Sequence, residues 1–135
     1  MTSEKVIEKI RAKFQGEGAY SQIPVLSTLD TFNATLRDEG IYVNNLGTQH
    51  FLPWVVFTET FMLLRVKGGK VLKGNAEEGI LGDEKLPLDS VEGYIACGLY
   101  GKMVEERVFP RILPISEIMN WAGITKTEGD YMILV

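Results

Sequence analysis

One histidine and one cysteine, His50 and Cys97, are the side chains of this 135-residue sequence best suited to chemistry near neutral pH. Imidazole and thiolate usually serve as base, nucleophile or zinc ligand under those conditions. A zinc site built from cysteine and histidine has four ligands, so one chain cannot assemble it. A serine–histidine–aspartate triad would have to use His50, and a cysteine–histidine pair would need both residues. The sequence therefore excludes many enzyme classes and indicates no metal site and no cofactor.

The single histidine is the one candidate in this chain for proton transfer at neutral pH. His50 lies in Gly47-Thr48-Gln49-His50-Phe51, between a predicted turn and an apolar stretch. A histidine beside aromatic residues is more often a structural residue at the edge of a core, and both interpretations stay open. Cys97 follows the apolar run Tyr94-Ile95-Ala96 and is predicted to be buried. As the only cysteine it excludes an internal disulfide and fits a reducing compartment such as the cytoplasm.

Carboxylates are concentrated in a predicted loop from Gly74 to Leu86. Four of them lie close together in the sequence: Glu77, Glu78, Asp83 and Glu84. Their oxygen atoms suit a hard cation, but the spacing is not that of an EF-hand, so a solvated loop is predicted. Two carboxylates could act as general acid and base, yet no spacing among the 18 acidic residues selects a pair. A phosphate-binding loop is not indicated, because Asn75 and Ala76 stand where that motif has Lys and Ser or Thr.

Charge is distributed unevenly along the chain, whose formal net charge is −4. Between Thr48 and Asn75, Glu59 is the only acidic residue, and the bases are Arg65, Lys67, Lys70 and Lys73. Between Ala76 and Ile95, Lys85 is the only base among six acidic residues. The net charge disfavours nucleic acid as a partner without excluding a local basic patch. The opposite blocks could pair within the chain or with another subunit, or they could form an unevenly charged, solvated surface.

The N-terminal third is predicted to hold two helices. In Ser3–Gln15, with Ser3 as N-cap, apolar residues recur at helical spacing: Val6, Ile7, Ile10 and Phe14. A second helix is predicted from about Ser27 to Glu39, with Ser27 as N-cap and Gly40 as C-cap. Its buried stripe would be Leu29, Phe32 and Leu36. A short strand, Ile41–Val43, and a turn at Asn44-Asn45 are predicted to follow.

The middle of the chain leaves helix and strand open in two places. Residues 51–66 are apolar on nearly every side, and a helix is favoured because Pro53 fits a first helical position and Gly68-Gly69 follows the apolar run. The competing structure is a hairpin that pairs residues 63–67 with residues 70–73. Residues 92–100 fit a helix that opens with Asp89 and Glu92 as a capping box. They also fit a strand that turns at Gly101-Lys102 into residues 103–108.

The C-terminal part is predicted to contain a helix and a β-hairpin. Pro114 would open the helix and Gly123 would close it, with Ile115, Ile118, Met119 and Ala122 facing inward. Residues 124–135 predict a hairpin that turns at Glu128-Gly129-Asp130. Tyr131–Val135 is too apolar for a free tail, so we expect a paired strand in this chain or across a subunit interface. The whole chain, residues 1–135, is predicted to be a single α+β domain.

From Trp54 onward, the favoured order is helix, short strand, helix, helix and two-stranded hairpin. This order is similar to that of a winged helix, whose third helix usually enters the major groove of DNA. Here that helix offers Ser116, Glu117 and Asn120, with no arginine or lysine to read bases. A DNA-binding protein would therefore rely on flanking bases: Lys102, Arg107, Arg111 and Lys126. Neighbouring acidic residues oppose them: Glu105, Glu106, Glu117 and Glu128.

No motif names a ligand, partner or reaction, so function is inferred from the general character of the chain. Its charged N-terminus predicts no signal peptide, and no apolar run is long enough for a membrane helix. Several aromatic residues could line an apolar pocket or a subunit interface: Trp54, Phe57, Phe61, Trp121 and Tyr131. We expect a small, soluble, cytoplasmic interaction protein that forms a homo-oligomer and is not an enzyme. The alternatives are a winged-helix DNA-binding protein, and a small-ligand pocket protein or enzyme that uses His50 or a carboxylate.

Overall fold

The computed structural model describes residues 1–25, 28 and 30–135, and for residues 16–18 it describes the backbone only. The described residues form an α+β fold, as predicted, with four helices and two antiparallel sheets. The helices are α1 (Ser3–Gln15), α2 (Trp54–Val66), α3 (Val91–Tyr100) and α4 (Ile112–Trp121). The first sheet contains β1 (Gly16–Pro24), β2 (Thr31–Arg37), β3 (Gly40–Val43) and β4 (Phe51–Pro53). The second contains β5 (Lys70–Leu72), β6 (Thr125–Glu128) and β7 (Tyr131–Leu134).

Helix α1 has the predicted bounds. Its apolar face packs against α2 and β1 and buries Val6, Ile10 and Phe14 completely. The predicted N-cap is wrong by one residue, because the Thr2 hydroxyl accepts a hydrogen bond from the Lys5 amide at 3.3 Å. Residue Ser3 already lies in the first turn of the helix.

The predicted second helix is wrong. Residues 31–37 form strand β2, which pairs antiparallel with β1 on one side and β3 on the other. Burial alternates along this strand, with Phe32 and Ala34 inward and Thr31 outward, and β-branched threonines favour the extended backbone. Gly40 is not a helix C-cap, because it pairs with Pro53 at the point where β3 meets β4. The proposed cap Ser27 and the proposed core residue Leu29 lie outside the described residues.

The favoured helix in the middle of the chain is confirmed as α2. Pro53 is its N-cap rather than its first residue, and the amide of Gly69 donates to the Leu64 carbonyl at the other end. The competing hairpin is wrong, because β5 pairs with β7 and places Val71 opposite Met132. Helix α2 is apolar on most sides because it packs against α1, α3, α4 and the strands β4, β5 and β7.

Residues 91–100 are helical, and the alternative strand pair through residues 103–108 is wrong. The side chain of Ser90, not Asp89, caps α3 by accepting a hydrogen bond from the Gly93 amide at 3.1 Å. Residues 103–108 form turns and irregular structure, and the amide of Glu105 donates to the Leu81 carbonyl at 2.8 Å. This contact ties them to the predicted loop at residues 74–86, which is confirmed. A small second core lies beneath: Ala76, Leu81, Leu86, Ala96 and Val108.

The C-terminal hairpin is confirmed, with β6 and β7 joined by a turn at Gly129-Asp130. Strand β7 lies between β5 and β6, so Tyr131–Leu134 finds its pairing within this chain. Helix α4 begins at Ile112, two residues before the predicted start at Pro114. From Trp54 onward, the order of elements is the one that the sequence analysis compared with a winged helix. In the part of the chain that the structure describes, no helix has the length and apolar character needed to cross a membrane.

Candidate docking cleft

A cleft with a volume of about 640 Å³ lies where five parts of the fold meet. The turn between β3 and β4 contributes Asn45 and Leu46, and the acidic loop contributes residues 74–78 with 84–85. The start of α4 contributes residues 112–114, with Pro110 just before it. Leu72 and Lys73 at the end of β5 and Asp130 in the β6–β7 turn complete the wall. Segments distant in the sequence therefore build one concave surface.

Part of the lining of the cleft is apolar, and we call this part the floor. It is formed by Leu46, Leu72, Ile112, Leu113 and two prolines. Leu113 remains 42% exposed although it lies in a cleft, because α4 buries its opposite side against the core. The exposed side chain of Leu113 is an apolar surface against which another apolar group can be buried with a gain in free energy.

Carboxylates of the acidic loop also line the cleft, and we call Glu77, Glu78 and Glu84 its rim. The ammonium group of Lys85 lies 2.9 Å from Glu78, so this carboxylate is paired within the loop. Glu77 and Glu84 are exposed, and neither forms a salt bridge with a lysine or arginine among the described residues. The rim therefore carries negative charge that the described part of this chain does not neutralise.

Lys73 is the other charged residue of the wall. The pKa of this half-buried amine is lowered, because burial has a larger effect than the nearby carboxylates of Glu117 and Asp130, which raise the pKa. Its charge faces carboxylates of its own chain, so Lys73 offsets Asp130 and leaves the excess charge with Glu77 and Glu84.

The acidic loop is held in shape by its own polar side chains. The Asn75 amide oxygen accepts hydrogen bonds from the backbone of Glu77 and Glu78, both at 3.1 Å. The Asp83 carboxylate accepts bonds from the Ile80, Lys85 and Leu86 amides, each at 2.9 Å. These bonds, that from Ile80 above all, lower the pKa of Asp83. Asp83 therefore holds the loop in shape. Among the described residues, no group of three acidic, histidine or cysteine side chains could hold a metal ion.

Glu92 on α3 holds the start of α4, which forms part of the cleft wall. Its side chain is 2% exposed, and its carboxylate accepts backbone hydrogen bonds from Arg111 at 2.9 and 3.1 Å and from Ile112 at 2.6 Å. Burial raises the pKa of Glu92 to about 7, and the two amides and the Arg111 charge lower it by less. A carboxylate on α3 thus caps α4, whose own N-cap residue supplies no side-chain bond.

This role of Glu92 was not predicted from the sequence. The available signal was a single carboxylate among the apolar residues of 91–100, on a helix with little polar surface.

The arginine at the start of α4 is buried rather than presented to a partner. The Arg111 guanidinium lies 3.6 Å from the ring centre of Tyr100, donates to the Phe109 carbonyl at 3.4 Å and bonds the side chain of Gln49. These contacts connect the β3–β4 turn to α4 and help to shape the cleft.

The other proposed nucleic-acid contacts do not gather on one helix face. Lys102 is half-buried and Arg107 is exposed, both between α3 and α4. Lys126 lies on β6, 3.2 Å from Glu128. On α4, Ser116 and Glu117 are buried.

The third polar residue of that helix also faces the protein. The Asn120 amide lies 2.7 Å from the hydroxyl of Thr125 and 3.0 Å from that of Thr127. The polar residues that this helix would offer to a DNA groove, Ser116, Glu117 and Asn120, therefore serve contacts inside the fold.

His50 lies outside the cleft and is exposed. Its Nδ1 atom lies 3.2 Å from the Gly47 carbonyl oxygen, and its ring centre lies 5.3 Å from that of Tyr42. These contacts place it at the surface of the β3–β4 turn. The prediction that Cys97 is buried is wrong, because α3 exposes this residue on its outer face.

The five aromatic residues proposed for a pocket or interface also lie outside the cleft. Phe57 and Phe61 are in the core, and Trp54 donates from its indole to the Asp38 carbonyl at 2.8 Å. Trp121 packs edge-on against Phe14 with 5.0 Å between ring centres. Tyr131 is 40% exposed and lies under the ammonium of Lys70, which is 4.7 Å from the ring centre.

Comparison with known proteins gives no relative for this chain: no family model, no curated protein and no solved structure matches it. The residues that build the cleft are therefore the basis for a functional conclusion.

Proposed function

We propose that this chain is a non-enzymatic protein-interaction module and that the cleft is its docking surface. The observation that carries the proposal is one cleft lined both by the apolar floor with its exposed Leu113 and by the rim carboxylates Glu77 and Glu84, which form no ion pair among the described residues. Protein interfaces combine an apolar centre with a polar margin in this way. The single cysteine is in keeping with a reducing, cytoplasmic setting for the module.

The chemistry of the cleft selects the kind of segment that would fill it. An apolar side chain would cover the exposed part of Leu113 on the floor, and that burial would supply most of the free energy. Lysine or arginine residues beside it would approach Glu77 and Glu84, which form no ion pair with the described residues of this chain. Charge complementarity at the rim would fix the orientation and speed association more than it would add affinity.

The same charge disfavours a nucleic acid, whose phosphates would meet the carboxylate rim. Helix α4 also favours a protein partner over DNA. Its polar residues Ser116 and Glu117 are buried, so they cannot contact bases in a DNA groove. Duplex DNA is therefore the competing ligand in the test below.

A short fluorescent peptide with one leucine flanked by lysines on both sides is expected to bind the cleft. Fluorescence anisotropy would measure its dissociation constant, and the affinity should fall as salt screens the rim charges. The Glu77→Lys/Glu84→Lys variant should weaken binding by about tenfold or more, equivalent to about 1.4 kcal/mol. Leu113→Ser should also weaken it, because the floor loses apolar surface.

The matched control is Glu4→Lys/Glu39→Lys, which makes the same change in net charge at exposed sites on α1 and in the β2–β3 turn. It should bind the peptide like the parent protein, and a peptide with glutamates in place of the lysines should not bind. Equal loss of affinity in the two double variants would show general charge attraction and contradict the proposal. Binding of a mixed-sequence DNA duplex in preference to the peptide would also contradict it.

A further inference from the structure

The corner between α2 and β5 has the chemistry that the cleft requires. We call residues 65–70 the basic corner. Val66 at its tip is 78% exposed, and three exposed cations surround it: Arg65, Lys67 and Lys70. An apolar side chain flanked by positive charge is thus displayed on the surface of this same chain.

The backbone makes the corner project. Helix α2 ends at Val66, and Gly68 and Gly69 reverse the chain with φ angles of 84° and 96°. Residues with a side chain rarely adopt these angles, so the two glycines permit a reversal sharp enough to leave Val66 at the tip. The cations near the end of α2 also interact favourably with the negative end of the helix dipole.

In the part of the chain that the structure describes, the cations of the corner are exposed and are not held by a buried ion pair. Lys67 lies 3.1 Å from Asp89, but the two side chains are 43% and 66% exposed. Arg65 donates to the Met1 carbonyl at 3.1 Å, and Lys70 lies over the ring of Tyr131. An exposed ion pair such as Lys67–Asp89 contributes about 0–1 kcal/mol, and an exposed cation–π contact about 0.5–1 kcal/mol, so these cations can exchange partners at little cost.

The corner and the cleft are neighbours on the surface. Strand β5 begins at Lys70 in the corner and ends at Leu72 in the cleft floor. Two residues of extended chain span about 7 Å. A two-fold axis that passes between the two sites would place each corner against the cleft of the other copy, and a contact made twice in this way forms a closed dimer.

We infer that the occupant of the cleft is a second copy of this chain, and that two copies exchange their basic corners. This inference rests on the function proposed for the cleft. In each contact, Val66 of one protomer lies over the apolar floor of the other. The cations beside it approach Glu77 and Glu84, so the oppositely charged blocks of the sequence meet between subunits.

Light scattering and sedimentation would test the dimer over a range of protein concentrations. The parent protein should reach twice the mass of the 15.1 kDa chain. Two charge-reversed variants should remain at the mass of one chain: the corner variant Arg65→Glu/Lys70→Glu and the rim variant Glu77→Lys/Glu84→Lys. Like charges facing each other in two equivalent contacts should raise the dimer dissociation constant by about 100-fold or more.

Mixing the two variants gives the sharpest result. In the mixed dimer, the glutamates of one corner face the lysines of the altered rim, and the other contact has the original charges. The mixture should therefore form a dimer although neither variant does so alone. Lys9→Glu/Arg37→Glu, which reverses two exposed cations elsewhere, should leave the mass of the parent dimer unchanged.

The outcomes separate this inference from the function on which it rests. A parent protein that stays monomeric at every concentration overturns the inference, as does a dimer that the variants leave intact or a mixture that stays monomeric. If the lysine-flanked peptide still binds through the rim in any of those cases, the docking function stands and the occupant is another protein. If the peptide also fails to bind, both proposals are wrong.

Discussion

The free energy of unfolding is expected to fall as the pH rises from about 5 to about 8, and Glu92 is the cause. In the folded protein the pKa of this carboxyl is about 7, whereas its ordinary value is 4.5. Between these two values the folded state holds a proton that the unfolded chain has released, so the folded state binds more protons. Stability that is fully present below the ordinary pKa is therefore lost as the pH rises through the folded pKa. At 1.36 kcal/mol per pKa unit, the loss amounts to about 3 kcal/mol.

Burial decides the sign of this effect. Two backbone amides and the Arg111 guanidinium favour the charged carboxylate and lower its pKa, but removal of the side chain from water has the larger influence. The charged form still caps α4. The expected consequence is a helix start that remains formed at neutral pH but is stabilised less than at lower pH.

Two substitutions at this position should behave differently. Glu92→Gln removes the charge and keeps an oxygen that can accept from the Ile112 amide, so its stability should be nearly independent of pH in this window. It should exceed the parent in stability above about pH 7. Glu92→Ala leaves the Arg111 and Ile112 amides without their acceptor and should destabilise the protein by about 2–4 kcal/mol at pH 5. Its deficit relative to the parent should shrink as the pH rises, because only the parent loses stability when Glu92 ionises.

Urea unfolding at several pH values would measure these differences. Glu84→Gln is the matched control, because it removes an exposed carboxylate that forms no ion pair with another described residue, and its stability should change with pH as the parent's does. A parent stability that is flat with pH, or a Glu92→Gln variant with an unchanged slope, would show that the folded carboxyl ionises normally.

Local patterns were enough to predict the elements that carry their own boundary signals. Helix α1 has four apolar residues on one face, and the C-terminal hairpin has a turn at Gly129-Asp130. Helix α2 was harder because it is apolar on most sides, yet Pro53 and the two following glycines mark its ends. In each case the information lies within a few residues of the element.

The predicted helix over 27–39 was wrong because its pattern fits two periods. Phe32 and Leu36 have helical spacing, but Phe32 and Ala34 alternate as in a strand. The pairing of β2 with β1 and β3 selects the extended form, and such pairing is a tertiary property.

The cleft could not be predicted from the sequence for a related reason. Leu46, Leu72 and Leu113 are ordinary apolar residues in the sequence and become one floor only after folding. Glu92 likewise bonds amides 19 and 20 residues away. The acidic loop was predicted as a loop, but nothing in it indicated which segments it would face.

Replacing Gly93 by alanine is expected to destabilise the protein by about 2–4 kcal/mol, although alanine is the best helix former. A Cβ atom at this position would collide with the carbonyl oxygen of Pro87 and lie 3.0 Å from the Ser90 hydroxyl. The Pro87 carbonyl cannot easily retreat, because it accepts hydrogen bonds from the amide of Ser90 at 3.1 Å and from its hydroxyl at 2.6 Å. Relief of the collision would open this turn and remove the Ser90 cap from α3, which holds Glu92.

Gly98 provides the matched control in the same helix. Its Cβ would meet nothing within 4 Å, so Gly98→Ala should stabilise the protein by about 0.5–1 kcal/mol through helix propensity alone. Ser90→Ala isolates the lost cap and should cost about 1 kcal/mol. Urea unfolding of the three variants would give the differences, and the Gly93→Ala loss should exceed that of Ser90→Ala because it adds the collision to the lost cap. Equal stabilisation by the two glycine substitutions would mean that the Pro87 turn does not approach α3 closely, and that the helix start lies further from the turn than the hydrogen bonds of Ser90 require.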